Sequence, residues 1–452
     1  MTQTVFRAGA AATDITPSPG TLVNGDFFPH RATHIHDRLH ARALVLEQGD
    51  MRLAIVVVDI CVIPRGMIDE IKTIIAGQTG IPAPHMLVSC THTHAAGSVG
   101  DIFLTPPDEA YAALLPGLVA QAVILAMGEL RPAVMAYGSV QAPQHAVCRR
   151  YFMKEGYVPE NPVSGGTDAV KTNPFGAEHM IDRRVAEADT GLSFLAVKGA
   201  GGEWISVLAN YSLHYAGDWE NGTISPDYFG VFSRHLTQLL EAGSGFQAIM
   251  SNGTSGDVNI WDFLQPQRYP TAHYAKSDII GKDLAEAVYS ALPQLEWNAA
   301  PVLAAAHDEV LLKVRKPLPA EVSAARELMA ATDYTALSFN MDALRRIYAR
   351  EQVLLADMPD ELLCPVQALR AGDVTIGALP GEFFAGTGLR LKEAMPHYFT
   401  IGLANANLGY VPPLAEMERG GYETWRCRNS LLEAAAEEKI TARLLQLLQS
   451  LQ

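Results

Sequence analysis

The chain has 452 residues, 48% hydrophobic and 18% charged, with a net charge of -15 at pH 7 and a pI near 5.4. That balance suits a folded enzyme and excludes global disorder. No Lys/Arg cluster stands out, so the acidic surface argues against nucleic acid and against anionic membranes as partners. The length exceeds an average domain of ~100–200 residues, yet no Gly/Ser/Pro-rich linker divides it. One catalytic unit spanning 1–452 is the expectation. The N-terminal segment, Met1 to Ala10, has no basic start followed by an apolar stretch, so no secretion signal is expected. No window is expected to supply the ~20 apolar residues of a membrane span. The five cysteines (Cys61, Cys90, Cys148, Cys364, Cys427) are scattered, with no Cys-x-x-Cys. They read as reduced thiols in a cytoplasm.

Short apolar runs alternate with helical patterns along the chain. Residues 53–59 read as a buried strand, 66–75 as a helix and 85–90 as a second strand. A helix is expected over 110–127, kinked at Pro116-Gly117. Residues 192–197 and 204–209 form a hairpin around Gly199-Ala200-Gly201-Gly202. Then come a helix (228–240), a strand (246–250), a helix (276–292) and a long strand (300–314). Residues 319–329 and 341–355 read as an αα-hairpin. A second β-hairpin, 366–369 with 374–378, turns at Ala371-Gly372-Asp373. A helix over 382–394, a strand over 399–404 and a terminal helix over 430–451 complete the pattern. The mixture predicts α/β, with mixed β-sheets flanked by helices.

Polar residues gather where the apolar runs end: Asp59, His92 and His94, His214, Asn252, Glu382 and Asn405. In open α/β sheets ligands sit beyond the carboxyl ends of strands, so these six exits predict one shared site. Within Thr91-His92-Thr93-His94, residues i and i+2 of an extended chain face one side. Imidazole is the commonest ligand of a catalytic metal. Two His and one carboxylate are a familiar zinc set, and His92, His214 and Glu382 are the best trio. No helix or strand joins these three. His214 also reads as a core histidine, and Glu382 as a first-turn carboxylate favoured by the helix dipole. Cys90 reads as a small buried residue.

A resemblance sharpens this choice. Ala8-Gly9-Ala10-Ala11-Ala12-Thr13-Asp14-Ile15-Thr16-Pro17, the block from His36 to Leu46, Thr91-His92-Thr93-His94, Leu213-His214 with Ile224-Ser225-Pro226-Asp227, Gly256-Asp257-Val258 and Leu379-Pro380-Gly381-Glu382-Phe383 occur in this order. Together they resemble the neutral, non-lysosomal ceramidases. The resemblance implies that family's catalytic-domain fold, with zinc held by His92, His214 and Glu382. It places His94 and Arg149 in the active site.

The departures are as informative. Asn259 stands where the family has a nucleophilic Ser. Met417 stands at the family's Tyr zinc ligand, and Asn429 at a further Tyr, whereas Tyr422-Glu423 is kept. The chain ends thirty residues after Tyr422, so the family's C-terminal β-sandwich is expected to be absent. Ceramide is therefore not the expected main substrate.

What the resemblance implies is a zinc-dependent hydrolase of an amide bond in a small molecule, by metal-activated water. His94 would move protons, Arg149 would hold a carboxylate or an oxyanion, and Asn259 would donate to that oxyanion. Asp257 and Asp59 would back the zinc histidines, although Asp257 also reads as a turn cap. Ester or lactone hydrolysis, and a non-catalytic zinc- or ligand-binding role, are the alternatives. Tyr422 or water would complete the metal shell in place of Met417. Ser251, Thr254 and Ser255 are the nearby hydroxyls that could replace the missing nucleophile. His30, His34, His36 and His40 read either as a second metal cluster or as part of a loop at the substrate mouth. Trp219 reads as a cover over the site or as a packed aromatic.

Overall fold

The computed structural model describes residues 5–452. Residues 1–4, the head of the segment read as lacking a secretion signal, lie outside the described residues. Twelve strands build the body. They are β1 (Arg7–Asp14), β2 (His40–Gln48), β3 (Met51–Val58) and β4 (Met86–Cys90), then β5 (Arg131–Gln141), β6 (Gly191–Gly199), β7 (Trp204–Tyr211) and β8 (Gln247–Asn252), then β9 (Leu303–Lys313), β10 (Glu361–Ala371), β11 (Val374–Ala378) and β12 (Tyr398–Ile401). The first eight form one mixed sheet in the order β8-β7-β6-β5-β1-β2-β3-β4, and the last four a second sheet, β9-β10-β11-β12. The fold is α/β with mixed sheets flanked by helices, as the pattern predicts.

The large sheet is not flat. β1 and β5 are joined by only two residue pairs, Arg7↔Pro132 and Ala8↔Arg131, so the sheet folds there into two four-stranded halves. The period of two along each strand then sorts the side chains. Leu53, Ile55 and Val57 of β3, with Leu195 and Val197 of β6, join Leu369, Ile376, Phe399 and Ile401 of the second sheet in one shared core. The alternate residues face outward to helices. Ala54, Val56 and Val58 meet α1 (Arg65–Thr79) and α2 (Glu109–Gly128). Phe194, Ala196 and Val207 meet α3 (Asp227–Leu239) and α4 (Ala275–Ala291). The outer side of the second sheet packs Val366 and Ala368 on Ile440, Leu444 and Leu448. Three four-stranded faces thus surround one apolar core, with helices outside.

The remaining helices are α5 (Pro319–Ala330) and α6 (Met341–Ala356), a packed pair, then α7 (Ala385–Ala394) and α8 (Ala436–Ser450). Four expectations need correction. Glu382 does not open a helix: Glu382–Phe383 pairs in parallel with Tyr410–Val411, and α7 starts only at Ala385. The terminal helix starts at Ala436, because Arg315 donates to the Ser430 carbonyl and hydroxyl and so holds that stretch irregular. The strand expected over 399–404 ends at Ile401, short of Asn405. By length and composition α2 is apolar enough to cross a membrane, with a mean hydropathy of 1.9. Here its Leu115, Val119 and Val123 are fully buried against the sheet, which accounts for the apolar composition of that side.

Candidate metal centre

The site forms where the three faces meet. Asn252, at the end of β8, donates to the Thr91 carbonyl after β4 (3.3 Å). Asn405, after β12, donates its backbone N–H to the Val88 carbonyl (2.8 Å) and its side-chain amide to Gln367 of β10 (2.8 Å). These two asparagines stitch sheet edges together, which is why they sit at strand exits.

His92 follows β4 in a left-handed backbone conformation (φ 69°), a strained state for a non-glycine residue that clusters at functional sites. Its Nδ1–H donates to the Cys61 carbonyl (2.8 Å), which turns Nε2 toward Glu382. His214 follows β7, and its Nδ1–H donates to the Ser255 carbonyl (3.1 Å), with the same effect. The two Nε2 atoms converge on Glu382 Oε2, at 3.4 Å from His92 and 3.8 Å from His214. That carboxylate oxygen is buried and has no hydrogen-bond partner. All three residues are buried, and their ligand atoms lie within 4.8 Å of one another. Two imidazole nitrogens, each aimed by a backbone carbonyl on the other ring nitrogen, and one carboxylate oxygen fit a divalent transition metal.

His94 completes the group. Its Nε2 lies 3.2 Å from His92 Nε2, its ring stacks on Tyr215 at 3.8 Å, and its Nδ1 is buried without a partner. Burial, with His92 and Arg149 adding to it, holds the His94 pKa well below its ordinary value. Burial and Arg149 do the same to His214. Burial also opposes charge on His92, but the Glu382 carboxylate and Cys61 outweigh it and push His92 well above. Gly25 closes over His94. A Cβ there would lie 2.4 Å from the imidazole, and its φ is +120°.

Arg149 is buried but committed. Its Nε donates to Glu423 (2.8 Å), and its Nη2 donates to the Gly256 carbonyl (2.6 Å) and to the Tyr410 hydroxyl oxygen (3.1 Å). Glu423 is further held by Arg150 and Thr172, both at 2.7 Å. Tyr410 and Tyr422 line the same small cavity as His92, His94 and Glu382, a space of about 30 Å³. Burial and the Glu382 charge push both phenols well above their ordinary pKa. Tyr410 was not among the residues singled out from sequence. It reaches the site through the Glu382↔Tyr410 strand pairing, a non-local contact with no local signature. Cys61 is a second such residue: its Sγ is 3.8 Å from His92 Nδ1, and with His92 and His94 it forms an alternative ligand group.

Other expected residues go elsewhere. Asn259 donates to Asn173 (2.7 Å) and to none of the histidine–glutamate cluster. Asp59 accepts from Arg42 (2.6 Å) and from the His40 backbone (2.9 Å). Asp257 accepts from Ala385 N–H at the start of α7 (2.7 Å), a tie to a distant helix rather than a cap on its own turn. Backbone carbonyls, not these carboxylates, orient the two histidines. Cys90 donates to the Cys61 carbonyl (3.2 Å). Met417 lies half-buried on the short helix Leu414–Arg419, away from the cavity. Ser251 is spent on the Ala209 carbonyl (2.9 Å), and neither Ser251, Thr254 nor Ser255 lines the cavity. The four histidines of the 30–40 segment part ways. His30 lines an outer recess with Phe27, Phe28 and Trp219. His34 bonds Thr223 and Tyr274, His36 stacks on Tyr274, and His40 meets Arg42. Trp219 packs on Tyr215 at 5.7 Å and lines the outer recess rather than the small cavity, so it meets the cluster only through Tyr215.

No family model matches this sequence, and no curated protein matches it either. Solved structures do. A neutral ceramidase from Pseudomonas aeruginosa superposes with a TM-score of 0.74 over 99% of this chain and 74% of its own, at 19% identity. A ceramidase solved in complex with C2 gives 0.71 over 99% and 75%, at 18% identity. The chain therefore has the ceramidase fold.

Proposed function

We propose that the protein is a zinc-dependent hydrolase of a linear amide in a small molecule, held in the cytoplasm. The observation that carries this reading is the partnerless, buried Glu382 Oε2 faced by two imidazoles whose Nδ1 atoms are already engaged. His92, His214 and Glu382 would hold the ion. When bound, zinc supplies Lewis acidity, acidifying a coordinated water and polarising a carbonyl. The fold and the ordered motifs shared with ceramidases support an amide as the bond cleaved.

The side chains around the cluster divide the work. The depressed pKa of His94 keeps its ring neutral, so it can take the proton from the attacking water. The same ring then returns that proton to the leaving amine, and acid plus amine are the products. Arg149 donates to the Tyr410 oxygen, which leaves the phenol O–H free to point into the cavity. Tyr410 is thus the donor for the developing oxyanion, polarised by a guanidinium at 3.1 Å. Arg149 acts through Tyr410 rather than on substrate. Asn259 loses the oxyanion role assigned from sequence. The cavity of about 30 Å³ admits a carbonyl and little more, so the rest of the substrate lies in the recess lined by Phe27, Phe28, Trp219 and Phe339. Five free, buried thiols suit a reducing compartment.

The test is elemental analysis joined to a substrate panel. Protein purified with added zinc should carry about one equivalent, removable by chelation together with activity. Short N-acyl amides should turn over faster than matched esters and faster than a long-chain ceramide. Zinc below about a tenth of an equivalent, or ceramide as the best substrate, would overturn the corresponding half of the proposal.

A further inference from the structure

A second concave site lies beyond Tyr215, outside the cluster of ligand residues. It is a recess of about 440 Å³, within the size range of small-molecule sites. Its walls are aromatic. Phe175 meets Trp261 edge-on at 5.4 Å and Phe263 at 4.8 Å, and Trp219 and Tyr269 face the same space. Tyr215 forms the partition: it stacks on His94 at 3.8 Å on one side and reaches Trp219 and Trp261 at 5.7 and 6.4 Å on the other.

The charges lining the recess are not equivalent. Asp262 is neutralised by Arg184, which donates to it, and by Arg268 at 3.6 Å. Asp218 spends one oxygen on the backbone N–H groups of Lys276 and Ser277 (2.6 and 3.1 Å) at the start of α4, where the helix dipole offsets its charge. Its other oxygen is sealed from the recess. The Lys276 ammonium is different. It lies 5.6 Å from the centre of the Trp261 ring and makes no salt bridge or hydrogen bond among the described residues. Burial of this side chain works against its charge and outweighs the support of Asp218 and Asp227, so an anion entering the recess would offset the remainder.

We propose that this recess binds a planar aromatic group carrying a carboxylate. The rings take the aromatic body edge-to-face, and Lys276 pairs with the acid. The Arg268 guanidinium is committed to Asp262, and the Glu178 carboxylate at the rim accepts from the Gly176 N–H (3.0 Å), which leaves the Lys276 ammonium to pair with the ligand's acid. This binding does not rest on the amide-hydrolase reading: no residue of the metal cluster takes part, and only Trp219 is shared with the outer recess.

Isothermal titration of the whole, chelator-treated protein tests it with three probes of one shape: 1-naphthylacetate, 2-(1-naphthyl)ethanol and 1-naphthylmethylammonium. One saturable site for the acetate is expected, with about tenfold weaker binding of the alcohol and none of the ammonium. Lys276→Gln should weaken acetate binding by a similar factor while leaving the alcohol unchanged. Trp261→Ala should weaken both, and His92→Ala should leave both as in the wild type. Binding of the ammonium as tight as the acetate, or indifference to Lys276→Gln, would overturn the proposal. So would loss of binding in His92→Ala, or no saturable site for any probe. Lys276 is half-buried, so its variant is expected to fold and keeps the test decisive even if Trp261→Ala does not.

Discussion

His92 and His94 lie two residues apart in sequence and differ by role in space. His92 is pinned at Nδ1 and presents Nε2 to Glu382, whereas His94 stacks on Tyr215 and keeps an unpartnered Nδ1. Removing the first should therefore empty the metal site, and removing the second should not. His92→Ala is expected to lose zinc by elemental analysis. His94→Ala should keep it while activity falls by roughly 10²–10⁴. Equal zinc loss in both variants would show that His94 is a ligand. Tyr410→Phe changes one atom and should lower kcat by roughly 10²–10³ with zinc content and fold unchanged. Undiminished activity in that variant would remove Tyr410 from the mechanism. Of these residues only the His92–His94 pair announces itself by local spacing. His214 and Glu382 were selected through an ordered resemblance, because separations of more than a hundred residues leave no periodic trace. Tyr410 heads the segment that carries Met417, but nothing local in it marks a role at the site.

At the scale of elements, the strands that matched expectation are the apolar ones, such as Met51–Val58 and Gly191–Gly199. The strand Arg7–Asp14 was not marked, because Ala8, Gly9, Ala10, Ala11 and Ala12 have low strand propensity. Its small residues answer to packing instead. A Cβ on Gly9 would lie 2.2 Å from the Ala126 carbonyl of α2. Glu382 was placed on a helix because a run of helix formers follows it. The pairing partner that makes it a strand, Tyr410–Val411, lies far along the chain.

The start of α3 illustrates how an element can hold a site. Asp227 is buried, has φ 57°, and accepts from the backbone N–H groups of Ala216 (2.8 Å) and Gly217 (3.2 Å). Those residues lie two and three positions after His214. Burial, with Asp218 nearby, raises the Asp227 pKa to about 7. The unfolded chain ionises near the ordinary value of 3.8. Between those values the native state holds a proton that the unfolded state has lost. The contribution to stability is thus full at low pH and declines as pH rises toward 7, by a few kcal/mol at most. Urea midpoints measured from pH 4 to 8 should decline less steeply in Asp227→Asn than in wild type, even though the variant is weaker overall. Parallel profiles would show that Asp227 is ionised throughout.

The whole molecule explains why the donors meet. His92 follows the last strand of one half of the bent sheet, His214 follows β7 of the other half, and Glu382 lies just beyond β11 of the second sheet, in its own short pairing with Tyr410, so the cluster reports how three faces close on one core. Asn405 is a clasp between two of them, bonded to Val88 of the histidine strand and to Gln367 of the second sheet, in a left-handed conformation (φ 65°). It touches no ligand. Asn405→Ala removes the buried bond to Gln367, leaving that side chain's Oε1 unsatisfied, at a cost of about 1–3 kcal/mol. If the closure of the faces positions the donors, the same change should loosen Glu382 relative to His92 and weaken zinc binding by roughly 10–100-fold, the range typical of outer-sphere partners. Competition with a chromophoric chelator reads that affinity, and thermal unfolding of the metal-free protein reads the stability loss independently. Lower stability with unchanged zinc affinity would mean that the loops carrying the ligands hold their geometry without the sheets, and the three-face account of the site would fall.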